Sequence, residues 1–149
     1  MSSAEPYVLC ELAGTAYAVP SRAVERMEMV EQITPVPNAP AFVDGVVFSR
    51  GRVVPAVNLR LRFGFGWVPY DLRTRLVVVA HAGRAVGLIV DAAREFVTIP
   101  ADAVQPPPEG LAGTGGSYLA GVATLAGKVI LILDVAAVLE HTATAAPDA

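Results

Sequence analysis

Short runs of Val, Leu, Ile and Tyr alternate along the chain with turns that contain Gly or Pro, about every ten residues. This spacing predicts strands rather than helices, because periodicity of the helical kind is scarce. Four pairs of apolar runs flank a short turn and predict four β-hairpins. The four turns are Ala13-Gly14-Thr15, Ser49-Arg50-Gly51, His81-Ala82-Gly83-Arg84 and Ala126-Gly127-Lys128. The predicted fold class is all-β, a barrel or a sandwich.

Two short helices are predicted beside these strands. Asn58 and Asp134 are good N-cap residues that directly precede apolar residues. We therefore expect helices over Leu59–Phe63 and Val135–His141.

The second half of the chain repeats the first half in order. The segment FVDGVVFSRGRVVPAVNL aligns without a gap with YLAGVATLAGKVILILDV. Equivalent glycines, predicted to be structural turn positions, are Gly14 and Gly83, Gly45 and Gly121, and Gly51 and Gly127. We predict one domain over residues 1–149 that contains two copies of a small barrel, approximately residues 7–66 and 72–140. Whether a terminal strand crosses between the barrels stays open, and residues 142–149 are predicted to be disordered.

Composition and charge narrow the possible functions. The chain has 149 residues, a formal net charge of -3 and a single cysteine, Cys10. We expect no nucleic-acid partner, because a phosphate backbone selects a basic face. One Cys and two His cannot supply an internal disulfide or a four-ligand zinc site, and no cofactor is expected. Gly, Lys and Asp interrupt the apolar stretch Ser117–Leu139, so we predict a cytoplasmic protein without membrane insertion.

Candidate catalytic residues are few. His81 lies in a predicted turn and His141 near the end of the chain, so neither is placed to activate a nucleophile. Asp91 and Asp134 each follow an apolar strand, where ending a strand or capping a turn is the common role. A small β-barrel enzyme or ligand-binding module that uses them in a groove between the barrels remains an alternative. The leading expectation is a protein that is not an enzyme.

The segment VERMEMVEQI is the best candidate for a protein-binding strand. Alternation places Val24, Arg26 and Glu28 on one face, yet both faces mix charged and apolar residues, so core and interface interpretations stay open. Arg50 is predicted to reach solvent at a turn tip, where a guanidinium can pair with a carboxylate. The candidate apolar contacts are Val24, Met27, Met29, Val36, Phe42 and Phe48.

Five motifs follow one another along the chain: YAVP at 17–20, ITPVPNAPAFVDGV at 33–46, RGRVVPAVNLR at 50–60, VGLIVD at 86–91 and QPPP at 105–108. Together, and in this order, they resemble the CheW family of chemotaxis coupling proteins, over about Tyr7–Leu139. The resemblance implies a CheW-like fold of two five-stranded Src-homology-3-like barrels with a few short helices. It also implies a non-catalytic adaptor between the cytoplasmic tips of methyl-accepting chemoreceptors and the regulatory domain of the histidine kinase CheA. Such an adaptor belongs to receptor arrays at the inner face of the membrane.

The resemblance also implies an interface. Val24 and Arg50 match family positions at the receptor-contacting and signal-transmitting surface. Arg26 stands where many relatives have the acidic neighbour of that arginine, and Glu28 on the same face is a candidate substitute. The predicted interface residues are Val24, Arg26, Glu28, Asn38, Phe42, Arg50 and Arg52. Because of this departure, an accessory or antagonist protein of a non-flagellar system, such as pilus motility, is also considered.

Overall fold

The computed structural model describes residues 4–108 and 118–139, and within them the chain is built mainly of antiparallel hairpins. The four predicted hairpins are present. Each turns on two residues with positive φ, the second of which is glycine, as in the type I′ turns that suit two-residue hairpins. These pairs are Ala13–Gly14, Arg50–Gly51, Ala82–Gly83 and Ala126–Gly127.

The strands of the described residues are numbered here in chain order. They are β1 (Ala4–Leu12), β2 (Thr15–Pro20), β3 (Val24–Met29), β4 (Val43–Ser49), β5 (Arg52–Asn58), β6 (Arg75–His81), β7 (Arg84–Val90), β8 (Ala92–Pro100), β9 (Val104–Gln105), β10 (Leu119–Leu125) and β11 (Lys128–Leu133). Single 3-10 turns at Ser21–Ala23 and Ala101–Ala103 follow β2 and β8.

Both predicted helices begin at their expected N-caps. Helix α1 (Leu59–Arg62) follows Asn58, whose side-chain oxygen accepts a hydrogen bond from the Leu61 amide at 3.2 Å. Residues 135–139 are helical after Asp134, whose carboxylate accepts from the Ala137 amide at 3.1 Å. The predicted end of this helix at residue 141 and the tail at 142–149 lie outside the described residues. Among those residues, no helix is long and apolar enough to cross a membrane.

The strands form two sheets, so the prediction of an all-β fold with two barrels is confirmed. The six-stranded sheet has the order β8-β1-β2-β11-β10-β9, and the five-stranded sheet has the order β3-β6-β7-β5-β4. The largest cluster of buried apolar side chains draws on both sheets and joins them. It includes Cys10, and burial raises the pKa of that thiol to about 12, which leaves it protonated and unreactive at neutral pH.

Each sheet combines strands from both halves of the chain, which differs from the predicted barrels over 7–66 and 72–140. Hairpin β1–β2 joins the six-stranded sheet through a parallel pairing of β2 with β11. Hairpin β6–β7 joins the five-stranded sheet through a parallel pairing of β7 with β5. The two copies thus exchange their first hairpins, where the sequence suggested at most a terminal strand. The alternation of apolar and polar residues along the strands of a hairpin suits either sheet. It therefore carries no information about which sheet the hairpin joins.

Gly45 and Gly121 occupy equivalent places inside β4 and β10, not in turns as the sequence suggested. A Cβ atom on Gly45, whose φ is +148°, would lie 2.1 Å from the Thr34 carbonyl oxygen. A Cβ atom on Gly121 would lie 2.8 Å from a methyl group of Val104. At both places a returning segment crosses the strand, because Thr34 pairs with Val46 and β9 pairs with β10. The missing side chains allow each sheet to close on itself.

Candidate functional site

A bulge in β3 changes the predicted pattern of its faces. Val24 lies opposite Val79 and Arg26 lies opposite Val78, so two steps along β3 correspond to one step along β6. Val24 therefore packs against the core between the sheets. Arg26 and Glu28 lie on the other face of the strand, which looks into the five-stranded barrel. The prediction that Val24 shares their face is wrong, because strict alternation is broken at the bulge.

Arg26, Glu28 and Ser49 form a closed hydrogen-bond network, here called the seam network. Arg26 Nε donates to Glu28 Oε2 at 2.8 Å, and Arg26 NH2 donates to Ser49 Oγ at 2.6 Å. Ser49 Oγ donates in turn to Glu28 Oε2 at 2.7 Å. The network joins β3 to β4, the two edge strands of the five-stranded sheet. The Ser49 hydrogen bond, together with Arg26, holds the pKa of Glu28 below its usual range, although burial acts in the opposite sense.

The charge of Arg26 is balanced by two glutamates. Glu28, which alternation placed on the same face as Arg26, is the first of them. Glu25 is a second partner, with its Oε1 atom 3.3 Å from Arg26 NH1 and 3.9 Å from Arg52 NH2. Alternation placed Glu25 on the opposite face, and the bulge explains why it nevertheless reaches Arg26. Arg50 takes part in none of the ion pairs among the described residues, although its charge helps to lower the pKa of Glu28.

The β4–β5 hairpin presents apolar and cationic side chains to solvent. Phe48 and Val53 lie directly opposite each other and are 76% and 65% exposed. Arg50 in the turn and Arg52 beside it are also exposed. We call Phe48, Arg50, Arg52 and Val53 the hairpin surface. An aromatic side chain beside arginines is the composition enriched at protein interfaces. Val53 was missed, although its place opposite Phe48 in the hairpin was a usable signal.

The remaining predicted interface residues lie elsewhere. Phe42 packs against the core between the sheets, and its ring centroid lies 4.4 Å from the guanidinium carbon of Arg62. The same guanidinium lies 4.8 Å from the ring centroid of Tyr118. Asn38 is exposed in the loop between β3 and β4 with a φ of 63°, a conformation that Asn tolerates better than most residues. The structure does not bring Val24, Phe42 and Asn38 into the hairpin surface.

A groove of about 620 Å³ lies beside the seam network. It runs between Met29, at the end of β3, with the following Val30, and the hairpin surface, with Phe48 and Arg50. Both strands are edge strands, so the hairpin surface continues into a concave space that can accept part of a partner.

The two aspartates of the alternative hypothesis have structural contacts. Asp91 Oδ2 accepts from Arg60 NH1 at 2.6 Å and from the Ala13 amide at 2.9 Å. It therefore ties the turn of the first hairpin to α1. The cavity that Asp91 lines has a volume of about 10 Å³, which is room for no more than a water molecule. Asp134 caps the helical residues 135–139.

Comparison with known proteins identifies the family. The CheW-like domain matches residues 6–143 of this chain. The chain belongs to the CheW-like domain family. This confirms the resemblance seen in the five motifs.

Relatives of this CheW-like chain cover most of its length. Chemotaxis protein CheW of Klebsiella aerogenes is 27% identical over 144 residues, which are 97% of this chain and 87% of that protein. Chemotaxis protein CheW of Rhizobium meliloti is 34% identical over 101 residues, which are 68% of this chain and 65% of that protein. The crystal structure of the scaffolding protein TtCheW from Thermoanaerobacter tengcongensis has a TM-score of 0.83 and 29% identity. That match covers 89% of this chain and 90% of TtCheW.

Proposed function

We propose that this CheW-like protein is a non-catalytic adaptor that couples methyl-accepting chemoreceptors to the regulatory domain of the histidine kinase CheA. The observation that carries the proposal is the family match over residues 6–143. The names of the relatives, a chemotaxis protein and a scaffolding protein, support it. The adaptor acts on the cytoplasmic side of the membrane, where receptor tips and the kinase meet.

The hairpin surface is the proposed contact with one of the two partners. Its two exposed apolar side chains, Phe48 and Val53, supply area that a partner can cover. The Arg50 guanidinium lies at a turn tip and can pair with a carboxylate through two parallel hydrogen bonds. The seam network holds β3 and β4 at a fixed spacing beneath the hairpin surface. Arg26 therefore acts as a positioning residue for the hairpin rather than as a direct contact.

Coupling requires that two partners bind at different surfaces, so that a change in one is transmitted to the other. Individual contacts of such an adaptor can be weak, because many of them act together in an array. A protein that bound the kinase alone would be an accessory or antagonist protein of the same fold.

The proposal is tested by replacing Arg50. We expect Arg50→Glu to weaken binding of one partner by roughly tenfold, because a favourable charge pair becomes a repulsive one. Binding of the purified protein to the CheA regulatory domain and to a receptor signalling-tip fragment from the same genome is measured by pull-down and titration. Arg84→Glu is the matched control, since Arg84 is an exposed arginine beside the turn of the β6–β7 hairpin.

Three outcomes are informative. Loss of binding with Arg50→Glu but not with Arg84→Glu, at an unchanged unfolding midpoint, supports the hairpin surface. Equal behaviour of the two variants contradicts that surface. Failure of the unmodified protein to bind either partner contradicts the adaptor function.

A further inference from the structure

The side chain of Arg62, at the end of α1, lies between an aromatic ring of each sheet. Its guanidinium carbon is 4.4 Å from the ring centroid of Phe42 and 4.8 Å from that of Tyr118. Both distances are within the range of cation–π attraction. Phe42 directly precedes β4 in the five-stranded sheet, and Tyr118 directly precedes β10 in the six-stranded sheet. We call Arg62, Phe42 and Tyr118 the clamp.

The two rings of the clamp are equivalent residues of the internal repeat, and the structure holds them in the same way. The Phe42 carbonyl oxygen accepts a hydrogen bond from the Asn58 amide at 2.7 Å, and the Tyr118 carbonyl oxygen accepts from the Asp134 amide at 2.8 Å. Asn58 and Asp134 are themselves equivalent helix caps. The clamp therefore joins matching points of the two halves, and a movement between the halves changes the distance between its rings.

The cation of the clamp occurs in only one copy of the repeat. The residue equivalent to Arg62 in the second copy is Val138, which is fully buried in the core between the sheets. An apolar side chain can thus fill this position of the fold, so packing alone does not require an arginine.

The clamp holds two hydrogen-bond donors without acceptors. Arg62 Nε and NH2 are buried, and neither has a hydrogen-bond partner in the part of the chain that the structure describes. None of the ion pairs among residues 4–108 and 118–139 includes Arg62. Burying a donor without an acceptor costs free energy of the same order as the attraction of a cation to aromatic rings. The ring contacts favour the closed clamp, and hydration of the guanidinium favours an open one.

The two sides of the clamp differ in how firmly they are attached to α1. Phe63, the residue after Arg62, stacks on Tyr118 at a centroid distance of 5.1 Å and on Tyr17 at 5.8 Å. Tyr118 therefore stays in contact with the end of α1 when Arg62 moves. No ring among the described residues stacks on Phe42, so the clamp opens on the Phe42 side.

We propose that the clamp is a conformational switch, in which Arg62 leaves Phe42 and becomes hydrated in a minor open state of the free protein. A partner that binds one half shifts the population of this state, and the other half responds. A ligand can do so only to the extent that it binds the two states with different affinity. This inference rests on the proposed function only for the identity of the two partners.

The first test uses the free protein and NMR relaxation dispersion, which detects exchange between states in microseconds to milliseconds. We expect exchange at the Phe42 ring and at the Nε–H group of Arg62, and none at the Phe63 ring, which stays stacked in both states. Arg62→Met should abolish the exchange at Phe42, because Met packs on both rings without buried donors. Arg84→Met is the matched control, since it makes the same replacement at an exposed arginine.

The second test measures whether the clamp links the two partner sites. The affinity for the receptor signalling-tip fragment is measured by titration, with and without a saturating amount of the CheA regulatory domain. We expect the two affinities of the unmodified protein to differ by roughly fivefold, and their ratio to fall to about one in Arg62→Met but not in Arg84→Met. A merely structural role of Arg62 would change both affinities alike and leave their ratio unaltered.

Absence of exchange at Phe42 in the unmodified protein overturns the inference, and this measurement does not depend on the folding of any variant. Equal exchange in Arg62→Met and Arg84→Met also overturns it, as does a ratio of affinities that Arg62→Met leaves unaltered. Loss of both the exchange and the ratio in Arg62→Met supports it. Failure of both partners to bind contradicts the proposed function, while exchange in the free protein still decides whether the clamp opens.

Discussion

At the scale of single residues, Gly45 is the glycine, among those that the structure describes, where an added Cβ atom would approach another atom most closely. A Cβ atom there would lie 2.1 Å from a backbone oxygen of Thr34, so the closing segment or the strand would have to move. We expect Gly45→Ala to lower the free energy of unfolding by about 2 kcal/mol or more, as measured by urea denaturation.

Gly14→Ala is the matched control for this change. Gly14 also has a positive φ, of +82°, but a Cβ atom there would meet nothing within 4 Å. Its cost is expected to be about 1 kcal/mol, from backbone strain alone. Equal destabilisation by the two variants would show that close approach to Thr34 is not what requires glycine.

The internal repeat singled out Gly45 and Gly121 without revealing the reason for them. Glycines near hairpins are usually turn residues, and the sequence contains no direct information that another segment crosses at these two positions. Simple alternation placed Glu28 on the same face as Arg26, as a candidate acidic neighbour of Arg50. Alternation placed Glu25 on the opposite face, so its contact with Arg26 could not be predicted, because a bulge adds one residue without changing the composition of the strand.

At the scale of elements, the seam network couples the two edge strands of the five-stranded sheet. Its largest effect on Glu28 comes from the Ser49 hydroxyl, which lowers the pKa of that carboxyl. We expect Ser49→Ala to raise the pKa of Glu28 towards its ordinary value, as measured by NMR titration of the carboxyl carbon. Ser21→Ala, in the 3-10 turn after β2, is the control and should leave this pKa unchanged.

The sign of the effect on stability follows from the direction of the shift. A carboxyl whose pKa is lowered by folding stabilises the protein above its ordinary pKa, and this stabilisation is lost as the pH falls through the lowered value. In Ser49→Ala the loss should therefore begin at a higher pH. An unaltered pKa of Glu28 in this variant would contradict the role given to the hydroxyl.

The hairpins and both helix starts could be predicted from local chemistry. Residue pairs such as Ala13–Gly14 can adopt a type I′ turn, and Asn58 can accept a hydrogen bond from the first helical turn. The partners of each hairpin could not be predicted, because long-range pairing depends on contacts that no local pattern records.

At the scale of the whole molecule, the exchange of hairpins makes each sheet depend on both halves of the chain. We expect fragments 7–66 and 72–140 to lack a cooperative thermal transition when separate. In the intact protein, β2 of the first fragment pairs with β11 of the second, and β7 of the second pairs with β5 of the first, so each separate fragment loses both pairings. Mixed together, they are expected to form a one-to-one complex with the near-UV circular dichroism of the intact protein. A cooperative transition in either fragment alone would contradict this dependence.

The proposed adaptor bridges two partners, so a three-component binding assay can show the bridge itself. A receptor signalling-tip fragment is immobilised, and the CheA regulatory domain is added with or without the protein. We expect the kinase domain to be retained only when the protein is present, and to be lost with Arg50→Glu but kept with Arg84→Glu. Retention that does not depend on the protein, or none in its presence, would contradict the adaptor function.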